Sequence, residues 1–292
     1  MIVAQVSTRE DHPHIDVIDN LREPVRLGAG LDEHNNLSEQ TQTQAILALQ
    51  RFAQRLRAFA PHSVRAVATN AVRVARNGPA FIEKAQTALG FPIEVISGLE
   101  EARLVYCGVA HQRPVGEGPR LVVDIGGGST EFIVGQDHTP LCLESLPIGC
   151  LSTAHAWFSD GHITTQAMHN AIAAARNTIR TLRPRLREAG WTHAVGSSGT
   201  ARALAEICTH NGLTEHGISA QALSTIKAHV VNAGHLDAIT LRGLKGDRLP
   251  MMPSGLALMC AVFEELHIQH MEVTDGALRQ GLLYDMLCTK PD

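Results

Sequence analysis

The first 110 residues alternate between short apolar runs and longer stretches in which apolar positions recur every three or four residues. The short runs predict β-strands at residues 2–6, 64–68 and 93–96, with one or two more between 11 and 31. The longer stretches predict α-helices at about 38–60, 69–77, 80–89 and 100–110. Ser38 is a suitable N-cap for the first helix, and Pro61 ends it. Strands that alternate with helices in this way indicate an α/β fold.

Residues 111–120 contain two prolines and two glycines, which predict a linker. We place a domain boundary there, with a first domain at 1–117 and a second at 118–292. The second domain starts with a strand hairpin around residues 121–135, and its remaining strands are predicted at 141–146, 193–195 and 271–274. Its helices are predicted at 165–188 (bent or ended at Pro184), 201–208, 219–231, 235–241, an amphipathic 254–266, and 277–287. The closing segment, 277–292, is expected to pack back on the first domain.

The most informative stretch is residues 121–135, which read L-V-V-D-I-G-G-G-S-T-E-F-I-V-G. Three successive glycines allow the backbone to turn tightly, and the exposed N–H groups of such a turn form a nest for anionic oxygens. Asp124 and Glu131 stand at the two ends of the turn. Carboxylates suit Mg²⁺, which binds oxygen ligands together with phosphates. The pattern predicts a phosphate-binding loop between two strands, with an ordinary glycine-rich hairpin as the alternative.

Two better-known phosphate loops do not fit these residues. A dinucleotide-binding fingerprint requires a helix after the glycines, and a Walker loop requires Gly-Lys-Ser/Thr. Here Ile133 and Val134 continue as a strand, and no lysine follows the glycines.

Three other stretches combine polar side chains with strand ends or helix starts. Residues 196–200, G-S-S-G-T, form a strand-to-helix turn whose N–H groups suit an anion, or a simple capped turn. Glu100 and Glu101 either complement the dipole of a helix start, or one of them activates a water. Arg73 in T-N-A-V-R offers a guanidinium for phosphate, or is a solvated helix residue.

Composition restricts the class of protein. The net charge of −4 does not indicate a nucleic-acid partner. The N-terminal residues lack the basic region and long apolar segment of a signal peptide, and no uninterrupted apolar stretch approaches the ~18 residues of a membrane span. Six scattered cysteines without a C-x-x-C pair favour free thiols over a zinc site. We therefore expect a cytoplasmic protein without a membrane partner, and leave a homodimer open.

Taken together, these stretches resemble the exopolyphosphatase/guanosine pentaphosphate phosphatase (Ppx/GppA) family in its short, two-domain form. The resemblance covers nearly the whole chain and is carried by A-T-N-A-V-R (68–73), I-S-G-L-E-E-A-R-L (96–104), V-D-I-G-G-G-S-T-E (123–131), S-S-G-T-A-R (197–202) and T-D-G-A-L-R-Q-G (274–281).

The resemblance implies a fold of two actin/Hsp70/sugar-kinase-like (ribonuclease H-like) α/β domains flanking a cleft. It implies that the chain hydrolyses terminal phosphoanhydride bonds of polyphosphate or guanosine pentaphosphate, with Mg²⁺ or alternatively Mn²⁺. Glu101 would be the catalytic base and Arg73 would face the phosphates, while Asp124 and Glu131 would hold the metal. The implied phosphate contacts are Gly126, Gly127, Gly128, Ser129, Thr130, Ser198, Gly199 and Thr200.

One departure from the family keeps other functions open. Family members carry a D-x-G-S-N-S loop as a first phosphate site, and this motif occurs nowhere in the sequence. We therefore expect either a start downstream of the natural one or a first sheet with an exposed edge or gap. The alternatives are a non-catalytic sensor of polyphosphate or guanosine tetraphosphate, and an ATPase or kinase with an adenosine pocket near 196–200.

Overall fold

The computed structural model describes residues 1–9 and 12–288. Its strands are β1 (Ile2–Arg9), β2 (His12–Asn20), β3 (Ala66–Ala68), β4 (Ile93–Val95), β5 (Arg120–Ile125), β6 (Thr130–Gln136), β7 (Thr139–Leu146), β8 (His193–Gly196), β9 (Ile218–Ser219) and β10 (His270–Val273). Its helices are α1 (Glu39–Leu56), α2 (Asn70–Val74), α3 (Gly78–Leu89), α4 (Gly98–Ala110), α5 (Cys150–Trp157), α6 (Thr165–Arg180), α7 (Arg183–Ala189), α8 (Gly199–His210), α9 (Ala220–Ala233), α10 (Met252–Leu266) and α11 (Leu278–Cys288).

A six-stranded mixed sheet organises the larger part of the molecule, in the order β7-β6-β5-β8-β10-β9. The central strands β5, β8 and β10 are parallel, and the outer pairings are antiparallel. Strand β5 is buried on both faces, since Leu121 and Val123 pack toward α6 and α10, whereas Val122 packs toward α4. Burial on both faces explains why its sequence is a continuous apolar run rather than an alternating one.

The first part of the chain does not form one continuous sheet among the described residues. Strands β1 and β2 form an antiparallel hairpin, and β3 and β4 form a separate parallel pair. A small core lies between α1 and α3 and includes Leu37, Phe81 and Ala85. Ser38 caps α1 as predicted, because its hydroxyl accepts the N–H of Thr41.

Helix α11 packs along α4, which lies within the predicted first domain. Asp285 of α11 is buried and accepts hydrogen bonds from Arg65 and from Arg103, the latter at 2.8 Å. Residues 289–292 of the predicted closing segment lie outside the described residues. The boundary at residue 117 stays a prediction, and α4 on its N-terminal side also packs against the large sheet.

Three features differ from the sequence-based expectations. Helix α5 was not predicted at all. The predicted interruption of the helix at 165–188 is present, since α6 ends at Arg180 and Pro184 lies in the first turn of α7, where a missing N–H costs nothing. The helix predicted at 235–241 is a single 3-10 turn, Leu236–Ala238. The supposedly amphipathic helix α10 is buried on nearly all sides, because other elements surround it.

The apolar composition of α10 is similar to that of a membrane-spanning helix. Among the described residues, one helical stretch, Gly246–Leu266, is long and apolar enough by composition to cross a membrane. Its most apolar window is 78% buried inside the protein, so core packing accounts for its hydropathy.

Candidate active site

The glycine loop, Gly126–Ser129, joins β5 to β6 as a tight hairpin. The loop closes with a hydrogen bond of 2.9 Å from the N–H of Gly126 to the carbonyl of Ser129. In this register Asp124 lies directly opposite Glu131. Directly opposed residues of antiparallel strands share one face of the sheet, so the hairpin brings the two predicted metal ligands together.

Hydrogen bonds from the first residues of helix α5 fix the position of this loop. The N–H groups of Cys150 and Leu151 donate to the carbonyls of Gly126 and Gly127 at 2.9 and 2.8 Å. Gly149 lies so close that a Cβ there would be 2.4 Å from the carbonyl oxygen of Gly127. Among the described residues, nothing accepts a hydrogen bond from the N–H groups of Gly127 or Gly128. With its carbonyls turned to α5, the loop keeps these N–H groups available for an anion.

The opposite wall of the site is the start of α2. Asn70 packs against Gly128, where a Cβ would lie 2.2 Å from its side-chain oxygen. Both residues line a cavity of about 1470 Å³, together with Thr69, Glu101 and the rest of the glycine loop. Apolar side chains of α1 and α3 also contribute to the lining. Arg73, Asp124 and Glu131 are not among the residues that line this cavity.

Glu101 projects from the first turn of α4, where Ser97 caps the helix. Its carboxylate lies 3.4 Å from Nη1 of Arg73, which also donates to the carbonyl of Ile96 at 2.7 Å. Burial raises the pKa of Glu101, the charge of Arg73 opposes the rise, and Asp124 adds to it. A carboxylate with a raised pKa, held in place by a guanidinium, is suited to accept a proton from water.

Glu131 is the most deeply buried of the three acidic groups, with 2% exposure. Its Oε1 accepts a hydrogen bond of 2.8 Å from the hydroxyl of Ser145. Burial, followed by the negative charges of Glu101 and Asp124, raises the pKa of Glu131 to about 8. Burial likewise raises the pKa of Asp124. Three carboxyl groups therefore influence one another electrostatically in this part of the cleft.

This cluster fits a divalent cation. Among the described residues, no three His, Cys, Asp or Glu side chains converge as a complete metal site. Mg²⁺ does not need such a set, because it usually binds one or two carboxylates and takes water and phosphate oxygens for the rest. Asp124 and Glu131 both have raised pKa values and little positive charge beside them. A bound cation would therefore stabilise their ionised forms.

The second predicted loop, 196–200, lies beside the first because β8 pairs with β5. Its hydroxyls already form hydrogen bonds within the protein. Ser198 caps α8 by accepting a hydrogen bond from the N–H of Ala201, and Thr200 donates to the carbonyl of Ile125 at 3.0 Å. Thr130 similarly donates to the carbonyl of Ile148 at 2.7 Å. These three hydroxyls brace the loops, and their direct contact with phosphate stays a prediction.

Sequence reasoning missed two contacts of this second loop. Ser197 is fully buried and donates to Oδ2 of Asp124 at 3.0 Å, which fixes that carboxylate. The guanidinium of Arg248 lies against Gly199, 2.7 Å from where a Cβ would be. Ser197 was visible within the G-S-S-G-T motif, whereas nothing in the local sequence links Arg248 to Gly199, 49 positions earlier.

Comparison with known proteins supports the resemblance seen in the sequence. A sequence profile of the Ppx/GppA phosphatase family matches residues 3–290. A solved exopolyphosphatase from Cytophaga hutchinsonii is similar over 99% of this chain and 95% of its own, with 24% identity and a TM-score of 0.84. The Ppx/GppA enzyme of Aquifex aeolicus is similar over 97% of this chain and 94% of its own, with 22% identity and a TM-score of 0.76. The predicted α/β fold class is confirmed, and the chain shares the fold of these two solved structures.

Proposed function

The chain belongs to the Ppx/GppA phosphatase family, and we propose that it hydrolyses the terminal phosphoanhydride bond of inorganic polyphosphate, of guanosine pentaphosphate, or of both. One observation carries the proposal: Glu101, whose pKa is raised by burial, lines the same cavity as the glycine loop with its available N–H groups. A base and an anion cradle facing one cavity are what attack of water on phosphorus requires.

In the proposed reaction, the N–H groups of Gly127 and Gly128 hold oxygens of the terminal phosphate. Glu101 accepts a proton from a water while the water oxygen forms a bond to phosphorus. The bridging P–O bond breaks, the shortened chain leaves with the bonding electrons, and Glu101 returns its proton to solvent. Arg73 holds Glu101 in position and contributes positive charge, so catalysis consists of positioning and electrostatics.

Asp124 and Glu131 would hold Mg²⁺, or alternatively Mn²⁺, and the ion would neutralise charge on the phosphate oxygens. Ser197 and Ser145 would keep these two carboxylates oriented through the hydrogen bonds described above.

The test is release of orthophosphate by the wild type and by Glu101→Gln, with polyphosphate and guanosine pentaphosphate as substrates. Glu100→Gln is a matched control, because Glu100 is the adjacent acidic residue and pairs with Arg103 at 2.7 Å. We expect Glu101→Gln to lose activity by about 100-fold or more, as removal of a general base does, while Glu100→Gln keeps most of it. Thermal unfolding of both variants shows whether each is folded.

The outcomes separate this proposal from its rivals. Equal phosphate release by Glu101→Gln and the wild type would contradict the assigned base. Tight binding by the wild type without any release would favour a non-catalytic sensor. Turnover of ATP without release from polyphosphate would favour the kinase or ATPase.

A further inference from the structure

Helix α2 packs into a different core from the candidate base and the glycine loop. Its Val72 lies in the small core with Phe81. Glu101 lies on α4, whose Val105 packs against the large sheet, and the glycine loop joins two strands of that same sheet. The ion pair between Arg73 of α2 and Glu101 therefore depends on how α2 is held against the large sheet and α4.

Asn70, the first residue of α2, contacts the glycine loop directly. A Cβ at Gly128 would overlap the side-chain oxygen of Asn70 and lie 3.0 Å from its Cγ. The φ angle of Gly128 is not positive, so its backbone would accept alanine without strain. The side chain of Asn70, rather than the backbone conformation, therefore requires a glycine at this place in the loop.

The contact at Gly128 is transmitted to Arg73 through a single helical turn. The N–H of Arg73 donates to the carbonyl of Thr69 at 3.0 Å, so Asn70 and Arg73 lie within one hydrogen-bonded turn and move together. Nη1 of Arg73 is 3.4 Å from the carboxylate of Glu101, longer than the roughly 2.7–2.9 Å of a strong charge-assisted bond. A small movement of α2 would therefore break this contact.

We propose that Asn70 is a positioning residue, which rests on Gly128 and thereby holds α2 so that Arg73 faces Glu101. This role rests on the proposed function, in which Glu101 takes a proton from the attacking water. Asn70 acts through Arg73 and takes no part in the bonds that form or break. Asn70, Gly128 and Glu101 line the same cavity, so the contact lies beside the reacting groups.

The experiment is a double-substitution cycle that measures kcat and KM for orthophosphate release, with whichever proposed substrate the wild type cleaves. Asn70→Ala removes the contact, and Gly128→Ala displaces the side chain of Asn70. The double variant restores a contact, because the Cβ of residue 70 would lie 3.8 Å from the new Cβ. The control cycle uses Gly127→Ala, whose Cβ would meet Leu151 at 3.1 Å instead of Asn70. Thermal unfolding shows whether each variant is folded.

We expect Asn70→Ala to lower kcat by about ten-fold and Gly128→Ala by about 100-fold, as misplacement of reacting groups does, with little change in KM. The double variant should recover to the level of Asn70→Ala, because no overlap remains. The losses from Asn70→Ala and Gly127→Ala should multiply, since these residues share no contact. In an Arg73→Gln background, Asn70→Ala should cause almost no further loss, because it acts through Arg73.

Three results would overturn the proposal: a double variant as slow as the product of the two single losses, a loss by Asn70→Ala in KM alone, or an equal loss with and without Arg73. Absence of phosphate release by the wild type would instead contradict the proposed function. The contact with Gly128 can then be tested by the same cycle in the free energy of unfolding in urea. Non-additive losses would support the contact, and additive losses would exclude it.

Discussion

Replacing Glu131 by glutamine removes one negative charge from the carboxyl cluster while keeping the shape of the side chain. Glutamine also keeps the oxygen that accepts the hydrogen bond from Ser145. We predict that this substitution stabilises the metal-free protein at alkaline pH. The reason is that Glu131 is 2% exposed and has a pKa of about 8, so the folded protein resists its ionisation.

The magnitude follows from the difference between the folded and unfolded pKa values. The ordinary value is 4.5, and the folded value is about 8. A group whose pKa is raised on folding contributes stability below its unfolded pKa, and this contribution is lost as the pH rises through the folded pKa. At about 1.4 kcal/mol per pH unit, Glu131 should cost the wild type about 4 kcal/mol between pH 4.5 and 9. The glutamine variant should lack this part of the loss.

The assay is urea unfolding of both proteins from pH 5 to pH 9 in the presence of a chelator. The difference in free energy of unfolding between variant and wild type should grow with pH and level off near pH 9. Glu188→Gln, at an exposed position in α7, is the control and should follow the wild type at every pH. Addition of Mg²⁺ at pH 8 should stabilise the wild type more than Glu131→Gln. Parallel pH profiles for wild type and Glu131→Gln would refute the reasoning.

Two further predictions test the support of the site and the closing helix. Gly149→Ala should lower kcat/KM for phosphate release by about 100-fold, since its Cβ would displace the glycine loop from α5; Gly246→Ala, with open space around it, should not. Asp285→Asn should lower the free energy of unfolding in urea by about 3 kcal/mol, because Arg65 and Arg103 lose the buried carboxylate that they share. A loss below about 1 kcal/mol, the level of an exposed pair, would contradict the latter.

The glycine hairpin could be predicted from the sequence because its signals are local. Apolar runs on both sides of three glycines define two strands and a turn, and the antiparallel register then sets Asp124 opposite Glu131. The N-cap at Ser38 could be predicted for the same reason, since an N-cap side chain accepts a hydrogen bond from an N–H only three residues away.

Helix α5 was missed because its signals are weak. It has eight residues, which give little more than two turns of periodicity, and it contains no Asp, Glu, Lys or Arg to mark a solvent face. Its position depends instead on tertiary contacts with the glycine loop. The same limit applies to α10, whose burial on nearly all sides depends on the elements packed around it rather than on its own pattern.

The electrostatics of the cleft depend on pairings that no local pattern contains. Ser197 reaches Asp124 across 73 positions because β8 pairs in parallel with β5, and parallel strands align their carboxyl ends at one edge. The same alignment brings the N-terminus of α8 to this edge, where Arg202 donates to the carbonyl of Ser197. Long-range strand pairing, rather than a local motif, therefore holds the buried carboxylates beside the glycine loop.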